Sequence, residues 1–336
     1  MYYIKQVFFI LFICFNLVTY GQQSNKVLFY VGTFSGSGAE GIYLCSFDTV
    51  TGDLNLENVI KGLENPNYLI KSIDGKYLYV CMRPRDAESD NFSVGVYKIN
   101  LDGSLKFINE QPAEGTDPCY VDITPDNKFV AISNYGNGTI AMYKTNNDGS
   151  LNPAYQVIQH NGSGANTERR KGPHAHSIQF SPFSDKVYAA DLGTDKLMIY
   201  DFDKTQGKLS DSKIPFAAIP PGAGPRHFDF HPNGKFIYVV NELNSSVSVV
   251  NIKKNYEVVQ TISTLPEGFD GTSYCADIHI SSNGKYLYCS NRGHNSITTF
   301  EVKNNGILSQ LAATKTMGDW PRNFSLSPNK KFMLVA

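Results

Sequence analysis

The chain has 336 residues, of which 41 % are hydrophobic, 12 % aromatic and 18 % charged, so it can bury a large core and is not an intrinsically disordered chain. Its formal net charge of −1 provides no basic surface for nucleic acid and no attraction to an anionic membrane, and neither partner is predicted. Abundant Tyr and Phe, together with Gly and Pro, are typical of an all-β protein with many turns.

The first 21 residues have the pattern of a cleaved signal peptide. Lys5 precedes an apolar run over residues 7–18, and the small residues Thr19 and Gly21 are placed as a cleavage site requires. We therefore expect residues 1–21 to be removed, residues 22–336 to form one domain, and the protein to be periplasmic or secreted. The run is shorter than the roughly 20 apolar residues of a transmembrane helix, so no stable membrane span is predicted.

A motif with a period of about 50 residues repeats along the mature chain. Each copy begins with a short alternating strand, passes through a polar turn that contains Lys, and ends in a strand rich in Tyr, Phe and Val. The copies begin at or near Pro66, Pro118, His174, Pro225, Cys275 and Pro321. The turn dipeptides Asn233-Gly234 and Asn283-Gly284 are strong hairpin signals.

A third and a fourth strand follow these hairpins, and four antiparallel strands in a unit of this length are typical of a β-propeller blade. The segment from Val27 supplies only the last three strands of a blade, and six further blade starts follow it. We therefore predict an all-β, seven-bladed β-propeller with four antiparallel strands per blade. The chain stops at Ala336, after the second strand of the last blade, so that blade and the closing strand are expected to be truncated.

The cysteines give no sign of a metal or a disulfide framework. The mature chain keeps an odd number of them, widely spaced and without a CxxC pair, which argues against zinc and against full pairing. No metal and no cofactor is predicted. Two loop histidines, His160 and His294, are expected to be solvated.

Aligning the repeats predicts which side chains meet at one end of the central channel. The start of the innermost strand of a blade and the end of the next strand lie at the same end, because the two strands are antiparallel. The first position holds Asn67, Cys119, His176, Arg226, Ala276 and Arg322, and the second holds Arg83, Tyr135, Leu192, Glu242 and Arg292.

One channel mouth is therefore expected to collect a ring of charged and histidine side chains. Its predicted members are His176, Arg226, Arg322, Glu242, Arg292 and Arg83, with His174 and His227 beside them. Guanidinium groups match carboxylate and phosphate oxygens in pairs, so the ring indicates an anionic ligand. The alternative for Arg226 and Glu242 is an ion pair with a purely structural role.

Four segments carry a resemblance to a known family. GPHAHSIQFSP from Gly172, GAGPRHFDFHPNGKFIYVVNEL from Gly222, YLYCSNRGHNSI from Tyr286 and WPRNFSLSPN from Trp320 resemble the lactonase propellers, which include the 6-phosphogluconolactonases and the fungal carboxy-muconate lactonizing enzymes. The resemblance implies a catalytic set of His176, Arg226, Glu242 and Arg292, to which the repeat alignment adds His174, His227, Arg322 and Arg83 as substrate-binding residues. No metal is implied.

The leading hypothesis is hydrolysis of a sugar δ-lactone by a monomer. His176 would deprotonate the attacking water, although His174 could equally do so, Arg226 and Arg292 would stabilise the oxyanion, and Glu242 would orient Arg226 or the water. The export signal leaves open whether the lactone is phosphorylated. Two alternatives remain: a lactonizing isomerase acting on an unsaturated dicarboxylate, and a propeller that binds a partner without catalysis.

Overall fold

The computed structural model describes residues 25–35, 38–86, 88–166 and 172–336. The predicted signal peptide lies outside these residues. Almost all of the regular structure is strand, and the strands form seven antiparallel sheets, each a meander of consecutive segments. We number these sheets as blades 1 to 7 in chain order. Within the described ranges, no helix is long and apolar enough to cross a membrane.

Blades 1 to 4 take up the first two thirds of the chain. Blade 1 has three strands, β1 (Lys26–Val31), β2 (Gly41–Asp48) and β3 (Leu54–Lys61). Blade 2 contains β4 (Pro66–Lys71), β5 (Tyr77–Met82), β6 (Ser93–Ile99) and β7 (Leu105–Pro112). Blade 3 contains β8 (Pro118–Ile123), β9 (Phe129–Asn134), β10 (Thr139–Lys144) and β11 (Gln156–Gln159). Blade 4 contains β12 (Ala175–Phe180), β13 (Lys186–Asp191), β14 (Lys196–Asp203) and β15 (Lys208–Ala218).

Blades 5 to 7 complete the ring. Blade 5 contains β16 (Pro225–Phe230), β17 (Phe236–Asn241), β18 (Ser246–Asn251) and β19 (Glu257–Ser263). Blade 6 contains β20 (Tyr274–Ile280), β21 (Tyr286–Arg292), β22 (Ser296–Val302) and β23 (Leu308–Lys315). Blade 7 has two strands, β24 (Phe324–Leu326) and β25 (Met333–Val335). Blades 2 to 6 therefore have the four strands predicted for each of them.

The core lies between the blades. Strands β9 and β17 are buried at every position, because both faces of a blade pack against its neighbours. Between blades 4 and 5, for example, Tyr188 of β13 packs on Phe228 and Phe230 of β16. Outer strands such as β7 contain only exposed and partly buried residues, so the hydrophobic pattern weakens towards the rim.

Contacts between blades 7 and 1 bring the two ends of the chain together. The ring of Phe332 packs edge-on against Phe47 with centroids 5.1 Å apart, and Asn329 Nδ2 donates to the carbonyl of Thr49 at 2.7 Å. These residues are almost 300 positions apart in the chain. The seven sheets thus surround one central axis, with the innermost strands of blades 2 to 7 facing the channel.

Candidate active site

A β-bulge in the innermost strand of each of blades 2 to 6 positions the side chains at one channel mouth. Pairing with the second strand skips one residue in blades 2 to 5, and the skipped residues are Asn67, Cys119, His176 and Arg226. In blade 6 it skips Ala276 and Asp277. A bulge turns an extra side chain out of the regular alternation, so consecutive residues such as Arg226 and His227 both contribute to the site.

In blades 5 and 6, a buried amide fixes the second aligned position, at the end of the second strand. Asn241 Nδ2 donates to the hydroxyls of Ser246 and Ser248, each at 2.9 Å, in front of Glu242. Asn291 Nδ2 likewise donates to Ser296 at 3.1 Å and to Thr298 at 3.0 Å. These bonds tie the strand end to the third strand, so the residue that follows is held over the channel.

Glu242 is the carboxylate at the centre of the site. Its Oε2 lies 2.9 Å from Arg226 Nε and 3.0 Å from Arg292 Nη2. No acceptor within the described ranges lies along the Nε–H direction of Arg226, so the first contact is an ion pair without hydrogen-bond alignment. Arg226 Nη1 also donates to the carbonyl of Ala276, and Arg292 Nη2 donates to that of Cys275 at 2.9 Å.

Two buried histidines lie against these arginines. The rings of His176 and His227 meet edge to face with centroids 5.3 Å apart, and His227 Nε2 is 3.2 Å from Arg226 Nη1. Burial and the adjacent Arg226 charge hold the pKa of His176 well below its usual value, and burial and Arg226 lower the pKa of His227 to about 4. Both rings are therefore neutral at neutral pH.

His174 occupies the rim of the same cluster. Its ring stacks on Tyr135 with centroids 4.7 Å apart, and Nδ1 lies 2.7 Å from the carbonyl of Tyr135. A carbonyl only accepts, so Nδ1 carries the proton and the lone pair of the neutral ring is on Nε2. Asp191 Oδ1 accepts from the backbone N–H of His174 at 3.0 Å and holds the segment in place.

The expectation that His160 and His294 are solvated is wrong. His160 is 3 % exposed, and its Nδ1 is 2.6 Å from Asp191 Oδ2. His294 is 7 % exposed, and its Nδ1 is 2.7 Å from the hydroxyl of Ser296. Each histidine fills a buried polar position beside the site because a loop at a blade end folds back over the strands below it.

Two further arginines complete the cationic mouth. The guanidinium of Arg322 lies 5.3 Å from the ring centroid of Phe34, and that of Arg83 lies 5.7 Å from it. Arg83 is also paired with Asp117 at 2.6 Å. Burial, with the charges of Arg226 and Arg292, lowers the pKa of Arg322 to about 10. Arg322 therefore belongs electrostatically to the central cluster, whereas Arg83 stands at its edge.

The rim also carries Trp320, the single tryptophan of the chain. Its ring centroid is 5.8 Å from the Arg292 guanidinium carbon, and 46 % of the residue is exposed. The backbone of Trp320 adopts a φ of 61°, a left-handed conformation that a bulky side chain rarely adopts. Asn295 Oδ1 accepts its N–H at 3.0 Å, so a specific turn holds the indole at the mouth.

The structure thus places the predicted residues around one mouth, and it adds others that the repeat alignment left aside. Arg226, Glu242 and Arg292 are in direct contact, and His176, His227, His174 and Arg322 surround them. The aligned positions also hold Tyr135 and Cys119, which were not predicted as site residues. Asp277 was missed because its bulge skips two residues instead of one, and Phe34 and Trp320 lie in loops outside the aligned strands.

An all-β ring with a buried Arg–Glu–Arg cluster and neutral histidines at one channel mouth defines a β-propeller with a candidate active site at one end of its channel. The model of the family described as "Lactonase, 7-bladed beta-propeller" matches residues 28–336. The chain belongs to this lactonase family of seven-bladed β-propellers.

Curated relatives and solved structures agree with this assignment. A 6-phosphogluconolactonase of Bacillus subtilis is 34 % identical over 316 residues, which is 93 % of this chain and 88 % of the relative. Another from Formosa agariphila is 34 % identical and covers 91 % and 88 %. The structure of a periplasmic gluconolactonase of Pseudomonas aeruginosa superposes with a TM-score of 0.87 at 30 % identity, covering 93 % of this chain and 89 % of that one.

Proposed function

We propose that the protein is a carboxylic ester hydrolase that opens a sugar δ-lactone with water. The observation that carries the proposal is the buried contact of Arg226 and Arg292 with one oxygen of Glu242, directly beside neutral histidines. This arrangement offers a base for water and fixed positive charge for the oxygen that becomes negative on attack. Relatives in the family are named 6-phosphogluconolactonase and gluconolactonase.

In the proposed mechanism, His176 removes a proton from the water that attacks the lactone carbonyl. It returns this proton to the ring oxygen as the bond between the carbonyl carbon and the ring oxygen breaks. The low pKa of His176 keeps its imidazole in the neutral form that a base requires, and general-base assistance contributes about 10²–10⁴-fold. His174, with its lone pair on Nε2, is the alternative base at the rim. The distance from each base to the water decides between them, and single variants separate the two.

Arg226 and Arg292 supply the charge for the tetrahedral oxyanion. Both guanidinium groups are held by protein partners before the substrate arrives, so little reorganisation is needed as the charge develops. Glu242 sets their orientation and prevents two buried positive charges from facing each other alone. The alternative, in which this ion pair is only structural, predicts normal turnover when Arg226 is replaced.

The outer mouth fits a sugar acid derivative with negative charge. Arg322 adds positive charge to the central cluster, Arg83 stands at its edge in an ion pair with Asp117, and Phe34 and Trp320 offer aromatic surface beside it. A phosphate would bind between guanidinium groups, whereas an unphosphorylated lactone would use the aromatic rim and hydroxyl contacts. The excess of positive charge at the channel mouth favours a phosphorylated sugar lactone, whereas the predicted export of the protein favours an unphosphorylated one.

We also propose that the protein acts outside the cytoplasm as a monomer. The predicted signal peptide supports export, and the similar Pseudomonas aeruginosa protein is described as periplasmic. A propeller buries its core between its own blades, so the fold does not require a second copy.

The test is acid release by purified full-length mature protein from 6-phosphoglucono-δ-lactone and from glucono-δ-lactone. The double variant His176→Ala, Arg226→Ala is measured beside it, and Glu301→Gln, in an exposed ion pair with Lys303, is the control. Activity well above spontaneous hydrolysis that only the double variant loses supports the lactonase, and the preferred substrate identifies the sugar. If the wild type matches the spontaneous rate on both lactones, the proposed function is wrong.

A further inference from the structure

Asp277 is a buried carboxylate that joins three blades and that the proposed mechanism does not use. It is 2 % exposed and lies in the bulge of β20 in blade 6. Its Oδ1 is 2.8 Å from His227 Nδ1 of blade 5. Its Oδ2 accepts from Asn323 Nδ2, just before β24 of blade 7, at 2.6 Å. One side chain therefore bridges the innermost segments of three consecutive blades.

Both bridged residues directly follow an arginine of the site. His227 follows Arg226 in a Pro-Arg-His sequence, and Asn323 follows Arg322 in a Pro-Arg-Asn sequence. The first tripeptide begins the innermost strand of blade 5, and the second directly precedes the innermost strand of blade 7. Asp277 thus contacts the two copies of the repeat that carry an arginine at the same aligned position.

The link to Arg226 runs through a ring with a fixed tautomer. A carboxylate oxygen only accepts, so His227 Nδ1 donates to Asp277 and the lone pair is on Nε2. That lone pair faces Arg226 Nη1 at 3.2 Å and accepts from it. Asp277, His227 and Arg226 form one continuous hydrogen-bonded chain that leaves the guanidinium little freedom to rotate.

Asp277 keeps its negative charge in this setting. Burial raises its pKa, but His279 and His227 outweigh burial and hold the pKa below its usual value. A further partner is His279, whose Nε2 lies 3.2 Å from Asp277 Oδ2. Burial lowers the pKa of His279, but Asp277 and Asp229 raise it more, to about 9. The bridge is therefore ionic at neutral pH.

We infer that Asp277 is a positioning residue that sets the orientation of Arg226 and its spacing from Arg322, so that the two arginines clamp the ligand between them, Arg226 at the oxygen that becomes negative and Arg322 at the anionic group. The inference rests on the proposed function for its kinetic test. Asp277 acts through two separate arms, His227 towards Arg226 and Asn323 towards Arg322, and these arms predict different kinetic effects.

The arms are tested with one variant each. In His227→Asn, the amide nitrogen takes the place of Nδ1 and still donates to Asp277, but the acceptor for Arg226 Nη1 is lost. We expect kcat to fall by about 10–100-fold with little change in KM. In Asn323→Ala, the amide contact to Asp277 is removed, whereas the backbone N–H of Phe324 still donates to Asp277 Oδ2 at 3.2 Å. We expect KM for 6-phosphoglucono-δ-lactone to rise by about 10-fold at unchanged kcat.

Asp277→Asn should combine both effects, and a matched control is available. Asp122 of β8 also accepts an inter-blade hydrogen bond, from the backbone N–H of Phe180 at 2.8 Å, but contacts no arginine of the site in the described ranges. Asp122→Asn should leave kcat and KM within about twofold. Equal kinetics for Asp277→Asn and Asp122→Asn would overturn the inference. If Asp277→Asn does not fold, the inference is tested by the other two variants alone: His227→Asn should lower kcat and Asn323→Ala should raise KM.

A binding measurement separates this inference from the proposed function. Calorimetric titration with inorganic phosphate measures the clamp without any turnover. We expect Asp277→Asn and Asn323→Ala to weaken phosphate binding by about 10-fold relative to the wild type and Asp122→Asn. If the wild type opens neither lactone but the four proteins show this pattern of phosphate affinities, the proposed lactonase function is wrong and the arginine clamp is supported. A wild type that does not bind phosphate, or equal affinities in all four proteins, refutes the clamp.

Discussion

Replacing Glu242 by Gln tests whether one carboxylate holds the arginine cluster together. Its Oε2 lies within 3.0 Å of nitrogens of both Arg226 and Arg292, and these two arginines are only 2 % and 6 % exposed. Glutamine has the same shape and retains an oxygen, so packing is preserved and the negative charge is removed. Two buried guanidinium groups would then lose their shared counter-charge.

The expected loss of stability follows from the burial of the cluster. Breaking a buried ion pair by removing one partner costs about 3–5 kcal/mol. An unfolding entropy of about 2.1 cal/mol/K per residue converts this loss, in a chain of 336 residues, to a fall in Tm of about 4–7 °C. We expect kcat to fall by about 10²–10³-fold as well, because the oxyanion donors lose their fixed orientation.

The assay is thermal unfolding followed by circular dichroism, with lactone opening measured on the same samples. The control is Glu301→Gln, whose ion pair with Lys303 has side chains 44 % and 49 % exposed, and its Tm should change by less than about 2 °C. Added phosphate should raise the Tm of Glu242→Gln more than that of the wild type, since the cluster gains one net positive charge. If Glu242→Gln matches the wild type in Tm and kcat, the carboxylate does not organise the site and the reasoning fails.

Three further predictions use other parts of the channel. Because the pKa of His176 is well below its usual 6.5, kcat/KM should stay constant as the pH falls through 6.5 and decline only at lower pH. An acid limb that is lost in His174→Gln and kept in His176→Gln would assign the base to His174. Trp320→Ala should raise KM by about 10-fold and Trp320→Phe by less. The fluorescence emission of this sole tryptophan should also change on titration with 6-phosphogluconate, and unchanged emission and KM would exclude contact with the sugar. Burial raises the pKa of Asp122 from 3.8 to about 7, so Asp122 increasingly destabilises the folded wild type as the pH rises from about 4 through 7. The Tm of Asp122→Asn relative to the wild type should therefore increase between pH 5 and pH 8, and a pH-independent difference would contradict this.

The sequence alone was sufficient to predict the architecture because the strands that pair within a blade are close together in the chain. Each blade is a meander of consecutive strands, so alternation and turn dipeptides such as Asn233-Gly234 determine its register within about 50 residues. The same locality made the repeat alignment informative about the site. Residues at equivalent positions of different blades must lie at the same end of the channel, which brought Arg226, Glu242 and Arg292 to one mouth.

The contacts inside the mouth were decided by the tertiary structure. Asp277 meets His227 and Asn323 across about 50 residues of chain on either side, and periodicity within one strand carries no information on such partners. Its place also depends on a bulge that skips two residues in blade 6 and one in blades 2 to 5, which a gapless alignment of repeats does not show.

The lack of information on long-range contacts also explains why the burial of His160 and the aromatic residues at the channel rim were not predicted. His160 lies in a loop, where polar sequence predicts solvent exposure, but the loop folds back so that its ring reaches Asp191. Trp320 and Phe34 reach the arginines from loops whose paths depend on neighbouring blades. The sequence thus determined the ring of blades and the residue types at its mouth, because both follow from local periodicity. Only the closed ring determined which charges are paired, since burial and partner distance arise when separate blades come together.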